Sequence, residues 1–391
     1  MKQGTSTFLV RNIMTEFARF TGLSPVSNAP RRYLWTDALA VCNFLGLYQE
    51  TGSEEFKGLA LQLVDQVHSA LGRHRHDDPR TGWISGLDEE RGRKHPTQGG
   101  LRIGKALNER GLRDSFDEGL EWDRDGQYYH YLTKWMHALK CVTGVTGEFT
   151  YNRWATELAR TAHAKFVYTS SFAGPKRMYW KMSIDLSRPL VPSMGQHDPL
   201  DGFVTYNELQ ATATKDPEPS MEKDLRAEIL DIGNICEGKS WTTDDPLGIG
   251  GLLFDACRVA QLIFSGNLEQ TGLLETLLES SLIGLDSFVK QNSLKLPAGY
   301  RLAFRELGLS IGLRAVETIR ELIEQKSAPL RNEDSLHSLL KILGRYAGLR
   351  ENIEKFWLKE TSRETGSYIA HHDINEVMLA TSLAPDGFLE L

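Results

Sequence analysis

Apolar positions recur along most of this chain at the three- and four-residue spacing of an α-helix, whereas the alternating pattern of a β-strand is scarce. The Thr51-Gly52 pair interrupts the first such pattern, and a second helical segment covers about 54–71. The spacing therefore predicts a helical hairpin here. In its first helix, LWTDALAVCNFLGLYQETG, one broad face carries Leu34, Ala38, Val41, Cys42, Leu45 and Tyr48.

This hairpin pattern returns further along the chain. A helix is predicted over about 127–142, the Thr146-Gly147 pair interrupts it, and a second helix follows. When the two Thr-Gly breaks are aligned, Phe56 falls on Tyr151, which indicates a structural repeat. With an N-terminal helix at about 12–20, the chain is predicted to contain about six hairpins. The further pairs are 203–214 with 221–235, 249–264 with 273–289, 300–325 with 335–346, and 351–360 with 375–381.

Helices joined by only a few residues pack antiparallel, and such a hairpin buries its apolar face only against its neighbours. About six hairpins can close on themselves, with an inner ring of helices inside an outer ring. The polar segment 212–224 is the best linker candidate, but Ser220 followed by acidic residues is typical of a helix start, and we interpret the segment as a loop. The sequence therefore predicts an all-α fold, a single (α/α) toroid domain over residues 1–391.

The turns LYQETGSEEF and VTGVTGEFTY, together with Trp-Asp pairs at predicted helix starts, resemble the six-hairpin glycosidase-like superfamily of α/α toroids. That superfamily includes unsaturated glucuronyl and rhamnogalacturonyl hydrolases, other glycosidases and the N-acylglucosamine epimerase group. The resemblance covers most of the chain at the level of pattern. It implies a protein that acts on carbohydrates.

Bulk composition narrows the range of partners. Of 391 residues, 40% are hydrophobic and 25% are charged, which is ordinary for a globular protein. The formal net charge of -7 argues against a nucleic-acid partner. The N-terminal segment MKQGTSTFLV lacks a signal-peptide core, and no run approaches the ~20 apolar residues of a membrane span. We therefore expect a cytoplasmic protein without a membrane partner, and its oligomeric state is left open.

The sequence contains no paired metal ligands. The cysteines are far apart, without a CxxC motif or a Cys-His pairing, so we interpret them as buried free thiols. His74 and His76 stand beside acidic residues, but no third ligand occurs at a defined spacing. Neither a metal nor a cofactor is expected. The cysteines in question are Cys42, Cys141, Cys236 and Cys257.

Acidic phrases precede most of the predicted first helices, as in GQHDPLDG (195–202) and again in TDDPLGIGG (243–251). In a toroid of antiparallel hairpins, these phrases meet at one mouth. One explanation is structural, since Asp before a helix caps free N–H groups and Pro suits the first helical turn. Capping does not require Trp, however, and Trp35, Trp122 and Trp241 stand beside these acids. Indole faces beside carboxylates are typical of sugar-binding sites.

Glycoside hydrolysis needs a proton donor and a second carboxylate across the sugar. We predict Asp198 as one catalytic residue, because His197 precedes it and HDPLDGF resembles the His-Asp phrase of unsaturated glucuronyl hydrolases. Asp123, beside Trp122, is the second. Arg124 either holds a substrate carboxylate or pairs with Asp125. The predicted substrate-binding residues are Trp35, Asp37, Trp122, Arg124, His130, His197, Asp201, Trp241, Asp244 and His371.

A glycoside hydrolase acting on a small-molecule or oligosaccharide ligand is the main prediction, and two other functions fit the same mouth. A sugar epimerase or isomerase would use histidines as acid and base. A non-catalytic carbohydrate-binding or scaffold toroid would have nearly the same sequence. The histidines available to an epimerase are His130, His197, His371 and His372.

Overall fold

The computed structural model describes residues 3–170, 174–218, 224–325 and 332–390, and these are mostly helical. The first nine helices are α1 (Gln3–Phe20), α2 (Leu34–Thr51), α3 (Glu54–Leu71), α4 (Glu89–Lys94), α5 (Glu118–Asp123), α6 (Tyr129–Thr146), α7 (Phe149–Phe166), α8 (Asp198–Ala213) and α9 (Arg226–Cys236). The rest are α10 (Pro246–Phe264), α11 (Thr271–Lys290), α12 (Ala303–Glu324), α13 (Glu333–Leu343), α14 (Ala347–Trp357), α15 (Glu360–Arg363), α16 (Gly366–Ile369), α17 (His372–Leu383) and α18 (Asp386–Leu389).

The all-α class and the succession of helix pairs are confirmed. The second helix of the first pair covers the predicted residues, and Gly52 and Gly147 end α2 and α6 in the left-handed conformation that glycine adopts without strain. Helix α1 begins nine residues before its predicted start, and α8 begins at Asp198 instead of 203, because proline is tolerated in a first turn. The predicted helix start at Ser220 lies outside the described residues.

The chain forms two compact units. The first, called the N-terminal unit here, comprises Ala18–Tyr48 and Gly52–Glu237. The second, the C-terminal unit, comprises Met1–Phe17, Gln49–Thr51 and Gly238–Leu391. In the N-terminal unit, α6 packs against α7 and α8, and α8 packs against α9. In the C-terminal unit, α10 and α12 form the main helix pair, which α11, α14 and α17 flank. The single toroid domain over residues 1–391 stays a prediction.

The phrase GIGG marks a close helix crossing, as its small residues suggested. A Cβ atom added to Gly250 of α10 would lie 2.1 Å from the carbonyl oxygen of Gly308 of α12. One added to Gly312 would lie 2.6 Å from the Cα atom of Gly250. The two helices therefore meet backbone to backbone, which only glycine permits.

Helix α10 is also the one helix among the described residues that is long and apolar enough to cross a membrane. Of its most apolar window, 67% is buried inside the protein. It also contains an ion pair with a 2.5 Å separation between Arg258 and Asp255, both buried. Packing in the core of the C-terminal unit accounts for its apolar composition.

Two small antiparallel sheets interrupt the helices in the N-terminal unit. One has the order β1 (Gln127–Tyr128), β4 (Lys181–Met182), β5 (Pro189–Val191), and the other pairs β2 (Val167–Thr169) with β3 (Lys176–Met178). Strands of two or three residues are too short to show alternation in a sequence, so the apolar pattern does not predict them. They hold Trp180, between β3 and β4, beside Tyr128.

Candidate active site

A stripe of titratable side chains runs between α6 and α8 in the N-terminal unit. On α6 these side chains are four, then three residues apart, which places them on one helical face. On α8 the spacing is three, then seven residues, which also keeps one face. We call this set the polar stripe, and it consists of the facing pairs His130 with Asp198, Lys134 with Asp201, and His137 with Glu208.

Asp198 stands at the outer end of the polar stripe. It is the first residue of α8, and the cap position belongs to His197, so Asp198 does not close the helix with its side chain. The carboxyl group is buried, and its Oδ2 atom has no hydrogen-bond partner among the described residues. Burial, reinforced by the negative charge of Asp201, raises the pKa of Asp198 to about 7. This carboxyl group therefore keeps its proton up to a much higher pH than an ordinary aspartate does.

His130 faces Asp198, with 3.7 Å between its Nδ1 atom and Oδ1 of the carboxyl. Its Nδ1 atom likewise has no hydrogen-bond partner among the described residues, although 33% of the side chain is exposed. Burial and then the charge of Lys134 lower the pKa of His130 to about 4. At neutral pH the imidazole is uncharged, so a proton acceptor lies beside a carboxyl that can donate.

The second pair of the stripe is a tight ion pair. Lys134 Nζ lies 2.8 and 2.9 Å from the two carboxylate oxygens of Asp201, and the Thr133 hydroxyl donates to the same carboxylate at 2.5 Å. These contacts satisfy both carboxylate oxygens of Asp201. Asp201 therefore acts on Asp198 through its charge and holds Lys134 close to His130.

The third pair lies deeper, where His137 Nδ1 is 3.4 Å from Glu208 Oε2 and His137 Nε2 is 3.5 Å from Cys141 Sγ. A hydrogen bond between the two thiols raises the pKa of Cys42 and lowers that of Cys141. Burial opposes the charged form of His137, but Cys141 and Glu208 outweigh it and raise the pKa of His137 to about 9. This interior cluster thus favours a thiolate beside an imidazolium.

One side of the Asp198–His130 pair carries stacked aromatic rings. The ring of His130 is parallel to that of Trp180 within 14°, with the centroids 6.3 Å apart. Trp180 also contacts Tyr128 at 5.0 Å and Trp122 at 5.1 Å between centroids. Trp122 is 49% exposed, so this wall opens to solvent.

Behind His130 lies a second aromatic group. Tyr131 meets the His130 ring edge to face at 4.9 Å, and its hydroxyl lies 2.7 Å from that of Tyr33. Trp35 stacks on Tyr131 at 6.0 Å. Partly exposed ring faces beside buried polar groups suit a sugar, whose C–H faces stack on aromatic rings while its hydroxyls form hydrogen bonds.

Buried Lys181 fixes the chain behind this wall. Its Nζ atom donates to the backbone oxygens of Glu121 and Arg124 at 2.6 and 2.8 Å, and to the Glu121 carboxylate at 3.0 Å. Burial lowers the pKa of Lys181. The same ammonium lies 5.3 Å from the centre of the Tyr128 ring, so it ties the segment that carries Trp122 to β1.

The predicted mouth acids Asp37 and Asp123 have different surroundings. Asp37 is buried, lies 3.3 Å from Arg32, and accepts the backbone N–H of Tyr33 at 2.8 Å. It therefore positions Tyr33. Asp123 is exposed at the end of α5.

The pairing of Arg124 with Asp125 is wrong. Buried Asp125 is bound by Arg102 at 2.9 Å and Arg75 at 3.3 Å, whereas Arg124 pairs with Asp114 at 3.1 Å. Asp125 lies inside the loop, where its arginine partners surround it, and the Arg124 side chain points to a different carboxylate.

The remaining predicted site residues belong to the C-terminal unit. Trp241 is buried, and Asp244 accepts a hydrogen bond from Gln291 at 2.8 Å. His371 is exposed and meets the ring of Phe304 edge to face at 5.4 Å. That these residues share a mouth with Trp35, Trp122 and Asp198 stays a prediction.

Three features of the site were missed from the sequence. No local sequence pattern marks Lys134 and Thr133 as site residues, because their partner Asp201 is distant in the chain. Cys42 and Cys141 are buried free thiols, as predicted, but the sequence analysis did not foresee that both lie beside His137. The spacing of His137 and Cys141, four residues apart in a helix, was the available signal.

Comparison with known proteins yields no family. No protein-family model and no curated protein matches this chain. Among solved structures, a sugar epimerase from a ruminal bacterium is 10% identical with a TM-score of 0.48, covering 90% of this chain and 87% of that one. Cellobiose 2-epimerase from Spirochaeta thermophila DSM 6192 is 12% identical with a TM-score of 0.48, covering 96% and 97%. Such low identities transfer no residue role, so the chemistry rests on the geometry above.

Proposed function

We propose that this protein is a carbohydrate-active enzyme that transfers protons on a sugar, as an epimerase or isomerase, with Asp198 and His130 as the proton-exchanging pair. The observation that carries the proposal is the unpartnered buried Oδ2 of Asp198 beside the unpartnered Nδ1 of His130, among the residues the structure describes. A buried polar atom without a partner costs free energy, and a substrate hydroxyl or carbonyl would satisfy it. The aromatic wall next to the pair favours a sugar as that substrate.

The protonation states suit proton transfer next to a carbonyl. On an open-chain aldose, neutral His130 removes the proton on C2 while protonated Asp198 donates to the C1 carbonyl oxygen. The C2–H bond breaks, its electrons form the C1–C2 double bond of an enediol, and the carbonyl oxygen gains a proton. His130 then returns its proton, either to C1, which gives the ketose, or to the opposite face of C2 after the enediol has turned about the C2–C3 bond, which gives the epimer. Asp198 recovers its proton when the carbonyl re-forms, so no net oxidation occurs.

Glycoside hydrolysis is a second candidate because a carboxyl with a pKa of about 7 suits a general acid. Glycoside hydrolysis also requires a second free carboxylate on the other side of the sugar. Asp201 is bound by Lys134, and Asp123 is exposed, so the proton-transfer function fits the pair better.

The two functions are separated by isotopes. A panel of reducing mono- and disaccharides is incubated with the enzyme in D₂O and, separately, in H₂¹⁸O. We expect epimer or ketose formation with deuterium on carbon, and no ¹⁸O from a cleaved glycosidic bond. Asp198→Asn and His130→Ala should each lower turnover by about 10²–10⁴-fold, the usual contribution of acid–base catalysis.

Asp123→Asn is the variant that distinguishes the two functions, because Asp123 has a catalytic role only in glycoside hydrolysis. The variant should therefore leave epimer or ketose formation unchanged. Cleavage with ¹⁸O uptake that depends on Asp123 would establish the second candidate. If the panel gives neither reaction and no thermal shift, both enzyme functions are excluded.

A further inference from the structure

The inner end of the polar stripe carries a cluster of possible metal ligands. One sulfur comes from Cys42 of α2, and a nitrogen and a second sulfur come from His137 and Cys141 of α6. The three ligand atoms lie within 4.8 Å of one another, and all three residues are buried. We propose that this cluster, called the Cys-His cluster here, binds one zinc ion.

The ligand types and their separation fit zinc. Thiolate and imidazole are its preferred ligands in proteins, at about 2.3 and 2.0 Å, and a tetrahedral site then separates its ligand atoms by about 3.5 Å. Cys141 Sγ and His137 Nε2 are 3.5 Å apart. Their spacing, four residues apart in a helix, lets both reach one ion without distorting the backbone.

Glu208 completes the arrangement from the facing helix. Its carboxylate lies 3.4 Å from His137 Nδ1, on the opposite side of the ring from Cys141. A histidine that ligates zinc through one nitrogen commonly donates the other N–H to a carboxylate, which fixes the tautomer and raises the basicity of the ligand. Glu208 therefore aims His137 Nε2 at the cluster.

Charge balance favours a dication over a monovalent ion. Zinc binding releases the thiol protons, so two thiolates and the Glu208 carboxylate then carry three negative charges, and buried Lys140, next to Cys141 on α6, contributes one positive charge. A divalent ion brings this interior region to neutrality, whereas a monovalent copper ion leaves a net negative charge. Buried regions tolerate little uncompensated charge. A water molecule or small ligand would take the fourth position.

This ion would not take part in the exchange of protons at Asp198. His137 lies seven residues beyond His130 on α6, about 10 Å along the helix. The site would instead cross-link α2 to α6 in the N-terminal unit, so its existence does not depend on the proposed function.

The test is zinc titration of the full chain, after reduction and removal of metal with a chelator, against a chromophoric competitor. We expect one ion per chain, and cobalt should give the absorption of a tetrahedral thiolate site. Cys42→Ser and Cys141→Ser should each lower the affinity at least 100-fold, while Cys257→Ser, at another buried cysteine, should not change it. Glu208→Gln should lower affinity 10–100-fold and keep the stoichiometry.

A second measurement covers variants that fail to fold. In the wild-type chain, zinc should slow alkylation of Cys42 and Cys141, read by peptide mass spectrometry, and leave Cys236 unaffected. Absence of stoichiometric zinc, binding that survives both serine variants, or a Cys42–Cys141 disulfide that forms in preference to metal would each overturn the proposal.

Discussion

At the scale of single residues, the repeated acidic phrases turn out to hold carboxylates of two kinds. Asp245 caps α10, accepting the N–H of Gly248 at 2.9 Å, and also pairs with Arg305 at 2.6 Å. Asp198 is buried in the first turn of α8 with a raised pKa and no capping role. The phrases are alike in sequence because both start a helix with proline. What distinguishes the two carboxylates is the protein packed over Asp198, which a local pattern does not encode.

Asp198→Asn should stabilise the protein at alkaline pH. The pKa of Asp198 is about 7 in the folded protein against an ordinary value of 3.8, so between these two values the folded state retains a proton that the unfolded chain loses. The free energy of unfolding therefore falls as pH rises through that window. Removing the carboxyl should raise it by roughly 1–4 kcal/mol at pH ~8, relative to the difference at pH ~3.5.

Urea unfolding at the two pH values measures this difference. Asp123→Asn is the matched control, since an exposed carboxyl should give nearly the same difference at both. An Asp198→Asn effect that does not change with pH would show that the carboxyl is not held protonated.

Lys134→Met should raise the pKa of His130. The ammonium of Lys134 helps to hold that pKa near 4, so its removal favours the imidazolium, which Asp201 also stabilises. Folding should also weaken by roughly 1–3 kcal/mol, because the buried Asp201 carboxylate loses its cation. NMR titration of the His130 ring and urea unfolding measure the two effects. Lys57→Met, which removes an exposed ion pair with Glu54, should change neither, and an unmoved His130 pKa would contradict the electrostatic account.

At the scale of elements, the sequence predicted the helices well and their lateral contacts poorly. The helix at 54–71 was found because apolar spacing and a Thr-Gly break are local signals. The start of α8 was missed by five residues, because its first turn is capped by no side chain and contains proline. The sequence also named His130 and Asp198 separately, but their 3.7 Å approach depends on how α6 packs on α8. Pairings of this kind arise from tertiary packing.

Two adjacent glycines in α10 should respond oppositely to alanine. A Cβ at Gly250 would lie 2.1 Å from the backbone of α12, so Gly250→Ala must push the helices apart and should destabilise the protein by roughly 1–3 kcal/mol. Among the described residues, no atom outside the local helix backbone lies within 4 Å of a Cβ at Gly251, and Gly251→Ala should stabilise by roughly 0.5–1 kcal/mol through helix propensity. Thermal unfolding of both variants tests the crossing. Equal effects would mean that α10 and α12 do not meet at these residues.

At the scale of the whole molecule, the question is whether the two compact units unfold together. Helix α1 has residues on both sides of the division at Phe17, and α2 has residues on both sides of the division at Tyr48. A boundary between independent domains falls in a loop or linker, where few contacts cross. The single domain over residues 1–391 stays a prediction, for which cooperative unfolding of the whole chain is the criterion.

The single-domain prediction has a direct test in the Gly250→Ala variant. The substitution lies in the C-terminal unit, whereas α6 and α8 belong to the N-terminal unit. If the chain unfolds as one cooperative domain, the slowest-exchanging amides of α6 and α8 should lose as much protection as those of α10 and α12, because all of them exchange through global unfolding. Hydrogen–deuterium exchange with mass spectrometry measures both sets, and Gly251→Ala should increase protection in both. Loss confined to α10 and α12 would show two independently unfolding domains, and the prediction of one domain over residues 1–391 would then be wrong.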